Sequence, residues 1–317
     1  MDPFYVFHSI SIGERTMKKK ILISILSIIG VLVIAIGSYA FYLYHSVKET
    51  AIKMHEPVKL EAPHKTPVMT KENAQPISIL LLGVDERKGD VGRSDTTIVM
   101  TLNPERSSMQ MVSIPRDTRT EIVGHGTVDK INHAYAFGGP KMSMETVEKF
   151  TGIPLNYYIR VNMEALIALV DAVDGITVQN NIDFTEAGYH FQKGAVPLNG
   201  KKALAYVRMR HQDPNGDFGR NERQRKIITG VIDKAASIKS VTRFDDILNA
   251  LGKNVKTNMT FDDMMNIQKN YRNCRNNIYE YEVKGTGQMI NNIYYLVVPD
   301  KEKAKVSKML KDNLTEN

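Results

Sequence analysis

A chain of 317 residues, 42% hydrophobic and 24% charged, can supply a membrane segment plus one large domain or two modest ones, and disorder throughout is excluded. Its single cysteine, Cys274, excludes internal disulfides and cysteine-built metal sites, so zinc-finger readings are out. The formal net charge of +7 and pI near 9.2 suit an anionic partner without separating nucleic acid, anionic lipid and phosphate-bearing substrate.

Residues 1–20 read as a short polar segment ending in Met17-Lys18-Lys19-Lys20. Residues 21–44 carry no charge and, at about 1.5 Å per residue, are long enough to cross about 30 Å of hydrocarbon. The run exceeds the roughly 7 to 15 apolar residues of a cleaved signal, and no A-x-A-like site follows, so it reads as an uncleaved signal-anchor helix. Arg15 and the three lysines precede it, and Tyr39, Tyr42 and Tyr44 mark its far end. Both features place residues 1–20 in the cytoplasm and the bulk of the chain outside, as in a single-pass type II protein of the cell membrane. Residues 45–76 are polar and hold Pro57, Pro63 and Pro67, which predicts a stalk or linker.

The folded domain is expected over residues 77–313. Residues 77–84, ISILLLGV, form a near-continuous apolar run between Pro76 and Asp85, the pattern of a strand covered on both faces. Residues 96–102 and 109–114 read as strands joined by a turn through Asn103-Pro104, an antiparallel pair. Asp85 closes the first strand, Asp95 opens the second and Arg116 follows the third, so this topology brings all three to one sheet end. Helical periodicity covers residues 142–150 and 163–173, the latter stopped by Asp174-Gly175. The helix at 163–173, with Leu166, Ile167, Leu169 and Val170, is either core or the wall of a lipid channel. A strand at 176–180 follows, then a short helix at 198–204 leading into a strand from Ala205. Helices at 220–238, 244–253 and 261–270, strands at 279–283 and 294–298, and a closing helix at 301–310 complete a layered α/β fold with helices on both faces of a sheet.

The densest chemistry lies in residues 205–225, AYVRMRHQDPNGDFGRNERQR. As a strand, the segment sets Tyr206, Arg208 and Arg210 on one face. Asp217 stands where it can cap the next helix, whose first turns carry Arg220, Arg223 and Gln224 on a shared face. A solvated arginine face is the plainer reading. Gathering cations at a helix N-terminus, which is already positive, is costly unless an anion binds there, and phosphate or pyrophosphate best matches forked guanidinium donors. Asp85 and Asp95 are ordinary turn aspartates taken alone. Facing Arg93 and Arg116, they suggest a divalent ion bridging a pyrophosphate, since Mg²⁺ takes one or two carboxylates and completes its shell with phosphate oxygens and water. No nucleophile elbow, zincin pair, Walker loop or dinucleotide fingerprint is present, and the scattered histidines have no metal-ligand spacing.

Four ordered blocks then resemble one family: GVDER with RSDTTIVM, SIPRDT, LNGKKALAYVRMRH and DFGRNERQ. They are similar to the LytR-CpsA-Psr family, over about residues 77–310 and with the same single-pass anchor. The resemblance implies an α-β-α sandwich with a mixed central sheet enclosing a lipid. It also implies an extracytoplasmic, Mg²⁺-dependent phosphotransferase that moves a glycopolymer such as teichoic acid or capsular polysaccharide from a polyprenyl pyrophosphate carrier to peptidoglycan. By position, Asp85 and Asp95 resemble the metal carboxylates, and Arg87, Arg93, Arg116, Arg208, Arg210, Arg220, Arg223 and Gln224 the pyrophosphate contacts. Catalytic roles fall on Arg116, Arg208, Arg210, Arg220 and Asp217, with Asp85 or Asp217 as candidate base. A lipid-pyrophosphate phosphatase and a non-enzymatic membrane-anchored regulator are the alternatives. Nucleic acid is not an expected partner, because a DNA reader carries its basic side chains along a recognition helix rather than at one end.

Overall fold

The computed structural model describes the backbone of residues 3–60, 67, 69–70, 73–85, 92–235 and 244–315, which divide into two compact units, Met1–Glu49 and Thr50–Asn317. The first unit is helical, within α1 (Pro3–Met54). The stretch Ile25–Met54 of this helix, with an 18-residue window of mean hydropathy 2.2, is long and apolar enough to cross a membrane by length and composition. The helix continues past residue 44 because no proline or glycine interrupts the chain until Pro57.

The second unit begins inside the segment expected as a stalk. Thr50 and Ala51 are buried, Glu56 N donates to Thr257 O at 2.7 Å, and the Tyr158 hydroxyl donates to Glu56 O at 2.9 Å. Further along, Asn270 Nδ2 donates to Met69 O at 2.6 Å and the Tyr271 hydroxyl to Gln75 O at 2.5 Å.

Six strands form the central sheet: β1 (Ile77–Val84), β2 (Ser94–Asn103), β3 (Ser108–Ser113), β4 (Tyr157–Val161), β5 (Val255–Thr257) and β6 (Asn277–Glu282). Their order is β5-β4-β1-β2-β3-β6. The pairs β1/β2, β2/β3 and β4/β5 are antiparallel, and β1/β4 and β3/β6 are parallel. The sheet is mixed, and α2 (His133–Thr151), α3 (Met163–Ala172), α4 (Gly200–Arg208), α5 (Asp217–Ala235), α6 (Phe244–Asn254), α7 (Phe261–Asn270) and α8 (Asp300–Leu314) complete an α-β-α sandwich. Alternation along β1 explains the layers. Leu80, Leu82 and Val84 join Met144, Val147 and Phe150 of α2 and Val306 and Leu310 of α8 in one core, whereas Ile77 and Ile79 join Met100, Met111, Met259 and Tyr271 in another. A third core gathers Val170 and Val173, Tyr206 and Val207, and Ile227, so α3 serves as core there.

Two elements differ from the sequence reading. The segment expected to be a strand from Ala205 is the end of helix α4, with extended backbone resuming at Met209 (φ −58°, ψ 133°). The Asn199 side chain accepts from Lys202 N to start it, and buried Ala203, Tyr206 and Val207 fall at helical spacings, so the two-residue alternation was coincidental. Helix α2 starts at His133, not near 142, because Gly138 and Gly139 adopt non-helical angles ahead of Pro140 and interrupt the periodicity within it. Six antiparallel pairs are not legible in full from the sequence: β4 with β5, Met69–Thr70 with Asn73–Ala74, Arg119–Ile122 with Thr127–Lys130, Ile176–Asn180 with Gly194–Leu198, Phe184–Glu186 with Tyr189–Phe191, and Thr286–Ile290 with Ile293–Val297.

Candidate phosphate-binding site

The sheet end where β1 and β3 finish and β2 begins carries the charged cluster. Gly83 pairs with Thr96 and Val84 with Ser94, leaving Asp95 as the extra residue of a β-bulge. A bulge re-aims its side chain, and here it turns Asp95 toward Arg116. Gly83 permits the close approach: a Cβ there would lie 2.8 Å from Thr96 Oγ1. Arg116 Nη1 donates to Asp95 Oδ1 at 3.0 Å, and its Nε lies 3.7 Å from both Asp117 Oδ2 and Asp217 Oδ2.

From the opposite side, the first turn of α5 delivers Asp217 and Arg220. Arg220 Nη2 donates to Asp95 O at 2.7 Å, and the same guanidinium lies 3.8 Å from Asp95 Oδ2 and 3.6 Å from Asp217 Oδ1. Arg210, beyond the end of α4, places Nε 3.6 Å from Asp217 Oδ1. Three guanidiniums, of Arg116, Arg210 and Arg220, and three carboxylates, of Asp95, Asp117 and Asp217, thus come together.

The cluster is rich in charge and poor in hydrogen bonds. Arg116 Nε, Asp217 Oδ1, Arg220 Nε and Gln224 Oε1 are buried yet have no hydrogen-bond partner, a costly state for a finished structure and a useful one for a site that receives an anion. Burial pushes the Arg220 guanidinium below its ordinary value; Asp217 and Asp95 oppose this, while Arg116 and Arg210 add to it. Burial also works against the charged form of Arg116, but Asp95, Asp217 and Asp117 outweigh it and hold that pKa above its ordinary value. An anion among these arginines relieves the repulsion felt by Arg220.

Other expected site residues are placed differently. Arg223 lies outside the cluster: its Nη1 donates to Asp213, its Nε to Tyr206 O at 3.0 Å and its Nη2 to Met209 O, and it packs over the Phe184 ring at 5.6 Å. Its three nitrogens therefore tie α4 to the segment after it that carries Arg210. Arg208 is exposed on the last turn of α4 and Arg93 is exposed just before β2. Asp85, half-buried, follows β1 beside the start of β2. Arg87 lies outside the described residues.

Several neighbours were not singled out from sequence. Lys130 Nζ pairs with Asp117 Oδ1 at 2.7 Å, extending the cluster toward α2. Beneath α5, Arg225 donates to Glu280 Oε2 at 3.1 Å and to Ser113 Oγ at 2.7 Å, and Asn221 Nδ2 donates to Glu282 Oε1 at 2.6 Å. These contacts clamp α5 to the ends of β3 and β6. Asp117, Asn221 and Arg225 lie within the motif stretches of the sequence, whereas the contacts they make depend on pairings that local periodicity does not reveal.

Among the described residues no three or more His, Cys, Asp or Glu side chains converge as a metal cage. Asp95, with Asp85 at the neighbouring strand end, offers one or two carboxylates, the number of protein ligands with which Mg²⁺ binds alongside phosphate oxygens and water.

Fold and site together define an α-β-α domain with a buried arginine-carboxylate cluster at one sheet end, in a chain that also carries a helix long and apolar enough to span a membrane. Residues 41–312 match the LytR_cpsA_psr family, and the chain belongs to that family. It is 49% identical over 304 residues to the polyisoprenyl-teichoic acid–peptidoglycan teichoic acid transferase TagU of Bacillus subtilis, covering 95% of this chain and 99% of the relative. The Bacillus licheniformis TagU is 48% identical over 301 residues, covering 95% and 98%. Among solved structures, B. subtilis TagU matches with TM-score 0.62 and 47% identity over 77% of this chain and 98% of that one. TagT bound to LIIa-WTA matches with TM-score 0.69 and 29% identity, covering 81% and 99%.

Proposed function

We infer that this chain transfers a teichoic acid glycopolymer from a polyprenyl pyrophosphate carrier to peptidoglycan, forming a phosphodiester link. The observation that carries this reading is the convergence of Arg116, Arg210 and Arg220 around Asp95 and Asp217 with buried donors unused at Arg116 Nε and Arg220 Nε. It is supported by about half-identical relatives named as TagU transferases along almost the whole chain.

In the reaction the acceptor hydroxyl oxygen bonds to the glycan-bearing phosphorus while the bond to the lipid-side phosphate breaks, and polyprenyl phosphate leaves with the electron pair. The protein's work is positioning and charge neutralisation. Arg116 and Arg220 face the pyrophosphate with their unused N–H groups, Arg210 adds positive charge from the loop side, and Asp95 and Asp217 fix the guanidiniums in place. Asp95, with Asp85 at the neighbouring strand end, would hold Mg²⁺, which would supply charge neutralisation on the phosphate oxygens when bound. The partly buried Leu81 and Ile159 of the sheet, Ile228 and Ile232 of α5 and Met264 of α7 offer an apolar place for the polyprenyl tail. The lysines before the apolar helix favour an outside domain, so protease added to intact protoplasts should remove it; survival there with digestion after lysis would reverse the orientation.

The test is incubation of the full-length protein in lipid vesicles with lipid-linked teichoic acid precursor and peptidoglycan. Polymer covalently joined to peptidoglycan is the expected product; free polymer alone would indicate a phosphatase.

A further inference from the structure

The transfer releases a proton from the acceptor hydroxyl, and the carboxylates inside the cluster are poorly placed to take it. Both oxygens of Asp95 and of Asp217 face guanidiniums at 3.0 to 3.8 Å, and Glu282 is bound to Asn221 and Arg225. The geometry points to His133 as the proton acceptor, oriented by Asp129 at the edge of the cluster. This rests on the transferase reading above and names a group for one of its steps.

His133 opens α2 one residue after Asn132, whose backbone N donates to Arg116 O at 3.3 Å. Its partner Asp129 is adjacent to Lys130, which reaches Asp117 at 2.7 Å, and Asp117 in turn lies 3.7 Å from Arg116. Two independent connections therefore tie the pair to the arginine at the centre of the site.

The pair has the internal order expected of an oriented base. His133 Nδ1 lies 2.7 Å from Asp129 Oδ2. The other carboxylate oxygen accepts from Lys130 N at 2.7 Å and from the Tyr295 hydroxyl at 3.1 Å. Burial disfavours the Asp129 carboxylate, but the hydrogen bonds from His133, Lys130 N and Tyr295 outweigh it and hold its carboxyl below the usual range. An ionised Asp129 requires Nδ1 to be the donor, which leaves Nε2 as the basic nitrogen of the neutral ring. No described residue hydrogen-bonds Nε2, and the side chain is partly exposed. Beside it Phe137 is 44% exposed, with the His125 ring stacked on it at 3.9 Å and His133 edge-on at 5.9 Å, a flat apolar face against which a pyranose ring can lie.

As the acceptor oxygen bonds to phosphorus, its proton passes to Nε2 and the imidazolium is stabilised by Asp129. The lipid phosphate departs, and the proton returns to solvent. The charged and titratable groups around the pair are Asp129, Lys130, His125 and Arg119 of one hairpin, Tyr295 of the other, and Arg116 and Asp117 of the loop after β3. The base acts unprotonated, so turnover falls as pH falls.

The experiment compares wild type, His133→Gln, His133→Ala and Asp129→Asn, each full-length in vesicles, for transfer against pH and separately for binding of the lipid-linked donor. General-base removal costs about 100-fold or more. The expected result is a turnover loss of that order in His133→Gln, unchanged donor binding, disappearance of the acidic limb of the pH profile, and recovery of His133→Ala by added imidazole. Asp129→Asn also lowers turnover, because the amide no longer fixes the tautomer that leaves Nε2 free to accept. Transfer within about threefold of wild type with the acidic limb intact, or no rescue by imidazole, overturns the role of His133 while leaving the transferase reading standing. No transfer by wild type overturns both.

Discussion

Arg220 on α5 donates a 2.7 Å hydrogen bond to the backbone carbonyl of Asp95 on β2, across 125 residues of sequence. The same guanidinium faces the carboxylates of Asp95 and Asp217 at 3.8 and 3.6 Å. It therefore joins the two halves of the site, and a shorter or differently shaped cation cannot do both.

Arg116→Lys and Arg220→Lys should fail nearly as badly as the alanine variants, because an ammonium cannot reproduce a fork. Loss of one charge-assisted contact to the reacting phosphates, about 2 to 4 kcal/mol, slows turnover roughly 30- to 1000-fold. Steady-state transfer rates with saturating donor check this, and near-normal turnover in the lysine variants would remove the forked contact from the mechanism.

Arg223 was grouped with the phosphate contacts on sequence spacing, yet its side chain is buried against Asp213, 4% and 3% exposed. Arg223→Ala should act on stability, by about 3 to 5 kcal/mol, since it strands a buried carboxylate. Gly219 has the same sensitivity, because a Cβ there would collide with the Asp213 carboxylate. Chemical denaturation reads the loss, and a fully stable but inactive Arg223→Ala would return Arg223 to the substrate.

The contrast between Arg220 and Arg223 marks the limit of the sequence. The strands on either side of the Asn103-Pro104 turn were legible because their apolar runs are long, and their antiparallel pairing already placed Asp95 beside Arg116. Periodicity also located α3, α7 and the body of α5. It failed at residues 205–210, where Tyr206, Arg208 and Arg210 alternate with apolar residues inside and just after a helix that Asn199 starts and tertiary packing holds. The bulge at Asp95 and the reach of Lys130 to Asp117 are products of pairing between distant segments, and no local pattern encodes them.

The proposed magnesium role of Asp95 predicts that Asp95→Ala raises the magnesium concentration needed for half-maximal transfer while leaving the fold intact. Rates measured across a magnesium titration, alongside far-ultraviolet circular dichroism, check both halves. An unchanged magnesium midpoint in a folded variant would take Asp95 out of the metal's coordination.

Acid stability offers a test of the Asp129 contacts. The folded-state pKa of Asp129 is depressed, so its contribution is complete above the unfolded value of about 3.9 and is lost as pH falls through the folded value. Asp129→Asn should therefore flatten the decline of Tm below about pH 4. A decline as steep as that of wild type would show that the carboxylate is not held this way.

The most direct test of direct phosphoryl transfer uses a lipid-linked glycopolymer whose glycan-side phosphate alone carries ³²P, presented with peptidoglycan to the full-length protein. Direct transfer predicts label in the new phosphodiester on peptidoglycan, none covalently attached to protein, and unlabelled polyprenyl phosphate. Label on the protein during turnover, or label recovered only in free polymer, would contradict it.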